Sequence, residues 1–262
     1  MKKIASYLIF ICFAGLFIAA TQKPVRILLA GDSTLADKPI PDNPERGWGM
    51  VLPSYFNSNV VIRNYARNGR STRSFIDEGR WANLVAHIQK GDYVIIQFGH
   101  NDEKINTPRY ASPATYAANL SRFVIDVRAK GGIPILCTPV MRRRFDAQGH
   151  FVDTHGAYPD SARAVARRMH VPLFDLSKQT EDLLISLGVE SSRKLFLHIA
   201  PGQYKSLPNG RNDDTHSSEL GAMQNARFVV DDIRSWHLEP LVRNLRPENK
   251  IMVTYTTPTL PK

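Results

Sequence analysis

Cysteine is scarce in this sequence, with two among 262 residues. Cys12 lies in an amino-terminal segment that we expect to be removed, which leaves Cys137 alone in the apolar run 133–137. A lone cysteine forms no disulfide within its own chain, and it provides no cluster of thiolates for a metal. Cys12 is not preceded by the small residue that a lipoprotein signal requires, so lipidation is not expected.

Acidic residues are also few: the sequence has 24 Asp and Glu against 34 Lys and Arg, which gives a formal net charge of +10. Such an excess favours polyanionic partners. The basic residues are not interleaved with aromatic ones, so we expect no nucleic-acid partner. The densest cluster, Arg142–Arg144, is either a solvated loop or a site for an acidic polymer such as a polysaccharide.

Long apolar runs are missing after the first twenty residues. Lys2 and Lys3 precede the uncharged, mostly apolar run 4–20, which ends in two alanines. This is the pattern of a secretory signal peptide. At 17 residues the run is at the low edge of what spans a bilayer, so an uncleaved anchor is the alternative. We expect cleavage of residues 1–20, export to the periplasm or the exterior, and no stable membrane association afterwards.

No internal repeat and no linker interrupts residues 21–246, which we expect to form one monomeric domain, followed by a polar tail over 247–262. Short aliphatic and β-branched runs alternate with segments of helical periodicity. This alternation predicts a five-stranded parallel sheet between two helical layers, an α/β/α fold. The predicted strands are 25–30, 60–65, 93–98, 133–138 and 171–175. The predicted helices are 48–56, 81–89, 113–130, 156–170, 176–187 and 217–236, with a loop over 196–212.

Polar clusters follow the first three predicted strands, whose carboxyl ends open on one edge of a parallel sheet. They are Gly31-Asp32-Ser33-Thr34, the loop containing Gly69, and Gly99-His100-Asn101-Asp102, and a fourth cluster, Asp213-Asp214-Thr215-His216, precedes the last predicted helix. Taken singly, each has a plain structural explanation as a cap or a turn. Because the third cluster contains His100 and Asp102, a metal site is an alternative interpretation of that cluster.

Taken together, the clusters supply the parts of a serine hydrolase. A serine hydroxyl is a weak nucleophile until a base removes its proton, and His216 is the obvious base for Ser33. Asp213, three residues earlier, is spaced to reach the Nδ1 side of that ring. Asp214 competes for this role, although its simpler explanation is a charge at the start of the last helix. The backbone N–H groups of Ser33 and Gly69 and the Asn101 amide would hold the oxyanion.

These clusters resemble the SGNH (GDSL-type) hydrolase superfamily, whose four blocks supply a serine, a glycine, an asparagine and a histidine. More narrowly, Asn68–Phe75 and Gln97–Asp102 are similar to the second and third blocks of the rhamnogalacturonan acetylesterase family. The resemblance spans residues 25–236. It implies a flavodoxin-like sheet, serine esterase chemistry on acetyl groups of pectin, and no metal or organic cofactor. It also selects Asp213 over Asp214 as the carboxylate.

The substrate is less defined than the mechanism. Arg70, Arg73 and the cluster Arg142–Arg144 are candidates to hold uronate carboxylates, and His198 either lines the site or lies on the surface. Relatives also deacetylate xylan and other glycans, and a lipid or thioester substrate is a further alternative that the absence of a long apolar stretch disfavours. A non-enzymatic glycan-binding protein would show a broken block, and none is broken here.

Overall fold

The computed structural model describes residues 23–38, 40 and 42–247, so the predicted signal peptide and residues 248–262 of the predicted tail lie outside it. The central sheet has the strand order β2-β1-β3-β4-β5, and every neighbouring pair is parallel. The strands are β1 (Val25–Gly31), β2 (Val60–Asn64), β3 (Tyr93–Gln97), β4 (Ile133–Cys137) and β5 (Leu173–Phe174). The predicted five-stranded parallel sheet is therefore confirmed.

Helices cover both faces of this sheet, which confirms the three-layer prediction. They are α1 (Trp48–Val51), α2 (Thr72–Asp77), α3 (Arg80–Ala86), α4 (Pro113–Ala129), α5 (Tyr158–Met169), α6 (Leu176–Ser191), α7 (Glu219–Ser235) and α8 (Glu239–Val242). Among the described residues, no helix combines the length and the apolar character needed to cross a membrane.

The central strands β1 and β3 are mostly apolar because each of their faces meets a helical layer. In β1, Leu28 and Ala30 pack with the apolar residues of α3, α4 and α5. Ile27 and Leu29 point to the opposite face and pack with α1 and α7. Cys137 belongs to this second layer and is 1% exposed, as its apolar surroundings in the sequence predict.

One predicted helix is divided, and another is shorter than predicted and preceded by a further helix. The segment 48–56 starts as α1 and tightens into a 3₁₀ turn over Leu52–Tyr55, because Pro53 has no N–H for the α-helical bond. The predicted helix 81–89 is α3, which begins at Arg80 and ends at Ala86. The separate helix α2 before it was not predicted, although Ser71 and Ser74 form a reciprocal capping box at its start.

The predicted loop 196–212 is wrong at both ends. It contains β6 (Phe196–Ile199) and the start of β7 (Arg211–Ser217), which pair antiparallel outside the main sheet. The glycines and prolines that indicated a loop all lie in the connection 200–210. Asp213 and His216 consequently lie on β7 rather than at a helix start, and the last helix begins two residues later than predicted, capped by Ser218.

Candidate active site

The turn after β1 fixes Ser33 at the carboxyl edge of the sheet. Asp32, fully buried, accepts hydrogen bonds through Oδ1 from the Thr34 N–H at 2.9 Å and the Thr34 hydroxyl at 2.9 Å. The Thr34 hydroxyl in turn accepts a bond from Gln97 Nε2, and the Trp48 indole N–H donates to Gln97 Oε1, each at 2.6 Å. Asp32 therefore stabilises the turn that carries Ser33, and contacts from α1 and β3 hold this turn in place.

Ser33, His216 and Asp213 form a continuous hydrogen-bonded chain. His216 Nε2 lies 3.0 Å from Ser33 Oγ, and Nδ1 lies 2.8 Å from Asp213 Oδ2. A carboxylate only accepts, so Nδ1 carries the proton and Nε2 is left to accept from the serine hydroxyl. The imidazole is therefore oriented and in the tautomer that can remove the Ser33 proton.

Asp213 is held as a carboxylate by its hydrogen bonds. Oδ1 accepts the backbone N–H groups of Thr215 at 2.8 Å and His216 at 3.0 Å, while Oδ2 also accepts from the Arg211 guanidinium. Burial by itself would raise the pKa of Asp213, but the bonds from the His216 ring and backbone and the nearby imidazole charge hold that pKa well below its ordinary value.

Asp214 points away from this chain. Its Oδ1 accepts from Arg143 Nη1 at 2.9 Å and lies 2.8 Å from His198 Nε2. Arg143 is 7% exposed and also donates to Ser192 Oγ and the Val189 carbonyl, so it ties β7 to the end of α6. Asp214 has no part in capping the last helix. His198 makes its contact with Asp214 rather than with the Ser33 chain.

Gly69 and Asn101, the other predicted oxyanion donors, lie on the loops next to Ser33. Gly69 has φ +75°, a conformation that favours glycine, and its loop is joined to Ser33 through a bond from Lys38 Nζ to Asn68 Oδ1. Asn101 is 2% exposed, and its Nδ2 donates one proton to the Arg70 carbonyl at 3.1 Å. The second Nδ2 proton is available for an oxyanion.

A buried chain of charges links these loops to Asp213. Lys38, whose side chain is 1% exposed, donates all three ammonium protons: to the Ser33 carbonyl at 2.7 Å, to Asn68 Oδ1 at 2.6 Å and to Glu45 Oε1 at 2.7 Å. Glu45 Oε2 lies 3.2 Å from Arg211 Nη1, and Arg211 Nη2 lies 2.6 Å from Asp213 Oδ2. Alternating charges therefore join the serine turn, the Gly69 loop and β7.

Three further ionisable groups lie beneath the site. Burial raises the pKa of Asp32, and it raises the pKa of Asp102 to about 8. Burial, with His155 and Arg142 nearby, keeps the pKa of His100 well below its ordinary value. Within the described residues, no group of three or more His, Cys, Asp or Glu side chains is arranged to hold a metal ion.

Of the basic residues predicted to bind substrate, several already have acidic partners. Arg70 donates to the Glu78 carboxylate at 3.0 Å, and Arg73, with its side chain 55% exposed, lies 3.6 Å from Asp77. Arg142 pairs with Glu103 at 2.5 Å. Within the cluster Arg142–Arg144, only the third residue is exposed, so this segment is neither a solvated loop throughout nor an open cationic patch.

Sequence reasoning missed Lys38, Arg211, Lys104 and Arg109. Lys104 and Arg109 reach the Asn101 amide oxygen from the loop after β3, at 3.1 and 3.4 Å. Arg211 carried one usable signal, because it stands two residues before Asp213 and the two side chains share a face of a strand. That signal is lost when the segment is taken for a loop.

The model of the GDSL-like lipase/acylhydrolase family matches residues 29–223, which include all four clusters. The chain is 43% identical over 213 residues to the rhamnogalacturonan acetylesterase RhgT of Bacillus subtilis, covering 81% of this chain and 90% of the relative. It is 45% identical over 217 residues to a rhamnogalacturonan acetylesterase of Emericella nidulans, covering 75% of this chain and 79% of the relative.

A solved structure, protein YXIM of Bacillus subtilis, superposes with a TM-score of 0.71 at 27% identity, covering 83% of this chain and 58% of that one. The fold, the order of the four clusters along the chain and the match to the family model all indicate the same family. The chain belongs to the GDSL-like lipase/acylhydrolase family and is a carboxylic ester hydrolase similar to known acetylesterases.

Proposed function

We propose that the protein is a serine acetylesterase that removes O-acetyl groups from an acidic plant polysaccharide, with acetylated rhamnogalacturonan as its substrate. The observation that carries the proposal is the unbroken chain from Ser33 Oγ through His216 to Asp213, at 3.0 and 2.8 Å. The names of the two relatives described above, at 43% and 45% identity, support the choice of acetyl ester and polymer.

The reaction proceeds by acyl transfer in two steps. His216 Nε2 takes the Ser33 proton as Oγ attacks the acetyl carbonyl carbon, and the oxyanion accepts from the Ser33 and Gly69 N–H groups and Asn101 Nδ2. The C–O bond to the sugar breaks, and the alkoxide leaves with the proton from His216. Water, deprotonated by His216, then attacks the acetyl-enzyme, and acetate leaves as Oγ regains its proton.

The negative charge of Asp213 supports both steps. It stabilises the imidazolium that forms when His216 takes a proton, and its accepting Oδ2 keeps Nδ1 protonated throughout the cycle. Because hydrogen bonds hold the Asp213 pKa low, this carboxylate stays ionised at every pH at which an esterase would be assayed.

The test is acetate release by wild type and Ser33→Ala from acetylated rhamnogalacturonan, acetylated homogalacturonan, acetylated xylan, p-nitrophenyl acetate and a short acyl thioester. We expect wild type to favour rhamnogalacturonan and the variant to lose about 10⁴-fold or more in kcat on every ester. Unchanged hydrolysis by the variant would rule out the serine mechanism. Preference for xylan or for the thioester would keep the mechanism and reject the proposed polymer.

If the predicted signal peptide acts as the sequence indicates, the enzyme meets this polymer outside the cytoplasm. Residues 1–20 lie outside the described part of the chain, so this localisation stays a prediction of the sequence. Sequencing the amino terminus of the protein recovered from the culture medium and from the periplasm tests it.

A further inference from the structure

Two cations beside the oxyanion asparagine have no carboxylate partner within the part of the chain that the structure describes. Lys104 Nζ and Arg109 Nη1 both donate to Asn101 Oδ1, at 3.1 and 3.4 Å. The Arg109 guanidinium also reaches Gly69, since a Cβ placed on that glycine would lie 3.6 Å from Nη1. Both cations therefore meet at Asn101, and Arg109 also lies beside Gly69.

The acidic side chains nearby are already committed elsewhere. Glu103 pairs with Arg142 at 2.5 Å through one oxygen and with His155 at 2.8 Å through the other. Asp32 lies in the turn beneath Ser33, where it accepts both bonds from Thr34. Burial and the neighbouring guanidinium groups of Arg109 and Arg142 lower the Lys104 pKa, although the carboxylates of Asp32 and Glu103 act in the opposite direction.

The loop that carries the two cations is fixed at its base. The Ala111 N–H donates to the Asp102 carbonyl at 3.0 Å, and the buried Tyr158 hydroxyl reaches the Ala111 carbonyl at 2.8 Å and the Asp102 carbonyl at 3.2 Å. Lys104 and Arg109 are both exposed residues. They therefore stand on an anchored loop, and an ammonium and a guanidinium each carry more N–H donors than the one that Asn101 accepts.

We propose that Lys104 and Arg109 form a carboxylate-binding subsite for the sugar adjoining the acetylated one, and that this pair selects acidic over neutral glycans. The inference rests on the proposed function, because it assigns the subsite to the same active site. A guanidinium matches the planar geometry of a carboxylate, and an ammonium adds a second charge-assisted bond. Arg70 and Arg73, by contrast, already have carboxylate partners in Glu78 and Asp77.

The first experiment uses an unacetylated digalacturonate as an inhibitor of p-nitrophenyl acetate hydrolysis, with neutral digalactose as the reference compound. The double variant Lys104→Gln/Arg109→Gln should raise the inhibition constant of digalacturonate about 10- to 100-fold and leave that of digalactose unchanged. The inhibition constant reports binding separately from any change in turnover that follows from altered support of Asn101.

The matched control is Lys90→Gln/Lys130→Gln, which removes the same two positive charges from exposed residues at the opposite, amino-terminal edge of the sheet. Its inhibition constants should equal those of wild type. An unchanged digalacturonate constant in Lys104→Gln/Arg109→Gln, or an equal rise in both double variants, would overturn the subsite.

The second experiment compares acetylated rhamnogalacturonan oligosaccharides with the same oligosaccharides after reduction of their carboxyl groups. The ratio of kcat/KM on the two should fall about 10- to 100-fold in Lys104→Gln/Arg109→Gln, mostly through KM. Equal losses on both substrates would mean that the cations only position Asn101, and would overturn the inference. A third outcome separates the two proposals. If wild type releases no acetate from the oligosaccharides, but the double variant still weakens inhibition by digalacturonate, the proposed polymer is rejected and the carboxylate subsite is supported.

Discussion

Asp213 and Asp214 are neighbours in sequence with opposite surroundings. Asp213 accepts from the His216 ring, whereas Asp214 accepts from Arg143 and contacts His198. Regular alternation along a strand would place His216 on the same side as Asp214. The pairing of β7 with β6 instead skips residues 214–216, and the Thr215 and His216 N–H groups fold back to Asp213 Oδ1, so this bulge brings the His216 ring to Asp213. At the scale of single residues, this separation decides which aspartate supports the histidine.

Substituting each aspartate by asparagine tests this division of roles. Asp213→Asn should lower kcat on p-nitrophenyl acetate about 10³- to 10⁴-fold, because an amide can donate to Nδ1 and favour the wrong tautomer. Asp214→Asn should stay within a few-fold of wild type in kcat, and should lower the melting temperature because Arg143 loses its carboxylate. Equal losses of kcat in the two variants would contradict the assignment of Asp213.

At the scale of elements, the site depends on the serine turn, the Gly69 loop and the strand β7, which Lys38, Glu45 and Arg211 hold together. Their contacts run from the Ser33 carbonyl to the Asp213 carboxylate. A buried cation without its partner is strongly unfavourable, whereas removing both members of a pair is far less so. Removing one member of the Lys38–Glu45 pair should therefore destabilise the protein more than removing both members.

Glu45→Gln should reduce the free energy of unfolding by about 3–5 kcal/mol, because it leaves the buried Lys38 ammonium without a counter-charge. Lys38→Met/Glu45→Gln should recover part of that loss, since no unpaired charge then remains on this side of the chain. Urea denaturation of wild type, Glu45→Gln, Lys38→Met and the double variant measures the coupling free energy between the two residues. A double variant no more stable than Glu45→Gln would show that the two residues are not coupled.

At the scale of the whole molecule, buried carboxyl groups set how stability varies with pH. Burial raises the pKa of Asp102 to about 8 and that of Asp232 to about 7. Between the ordinary pKa of an aspartate and these values, the folded state binds more protons than the unfolded chain. Stability contributed by these groups is therefore present at low pH and is lost as pH rises through that window.

The free energy of unfolding should accordingly fall between about pH 4 and pH 8, and Asp102→Asn should flatten the decline. Each unit of pH costs at most about 1.4 kcal/mol per group in this window. Asp213 has the opposite effect. Because its pKa is lowered in the folded state, the stability that it contributes is present at neutral pH and is lost only as the pH falls into the strongly acidic range. Denaturant titrations at several pH values measure the slope, and an equal slope in wild type and Asp102→Asn would contradict the assignment.

Sequence alone determined the sheet and most of its helices. The strand run 93–98 is apolar except for Gln97, and the helix 113–130 has a regular apolar face, so each is specified by a local pattern. The same reasoning failed at 196–212, where glycines and prolines in the connection hid the ends of β6 and β7. It also placed four clusters in chain order without showing which side chains within them meet.

The identities of Ser33, Gly69, Asn101 and His216 as candidate site residues were available from sequence because each stands in a short motif beside an element end. The tertiary structure decided their support: which aspartate faces His216, the burial of Lys38, and the convergence of Lys104 and Arg109 on Asn101. Local patterns encode backbone conformation within a few residues. Contacts between side chains as far apart as Glu45 and Arg211 depend on how the whole chain packs, so only the fold reveals them.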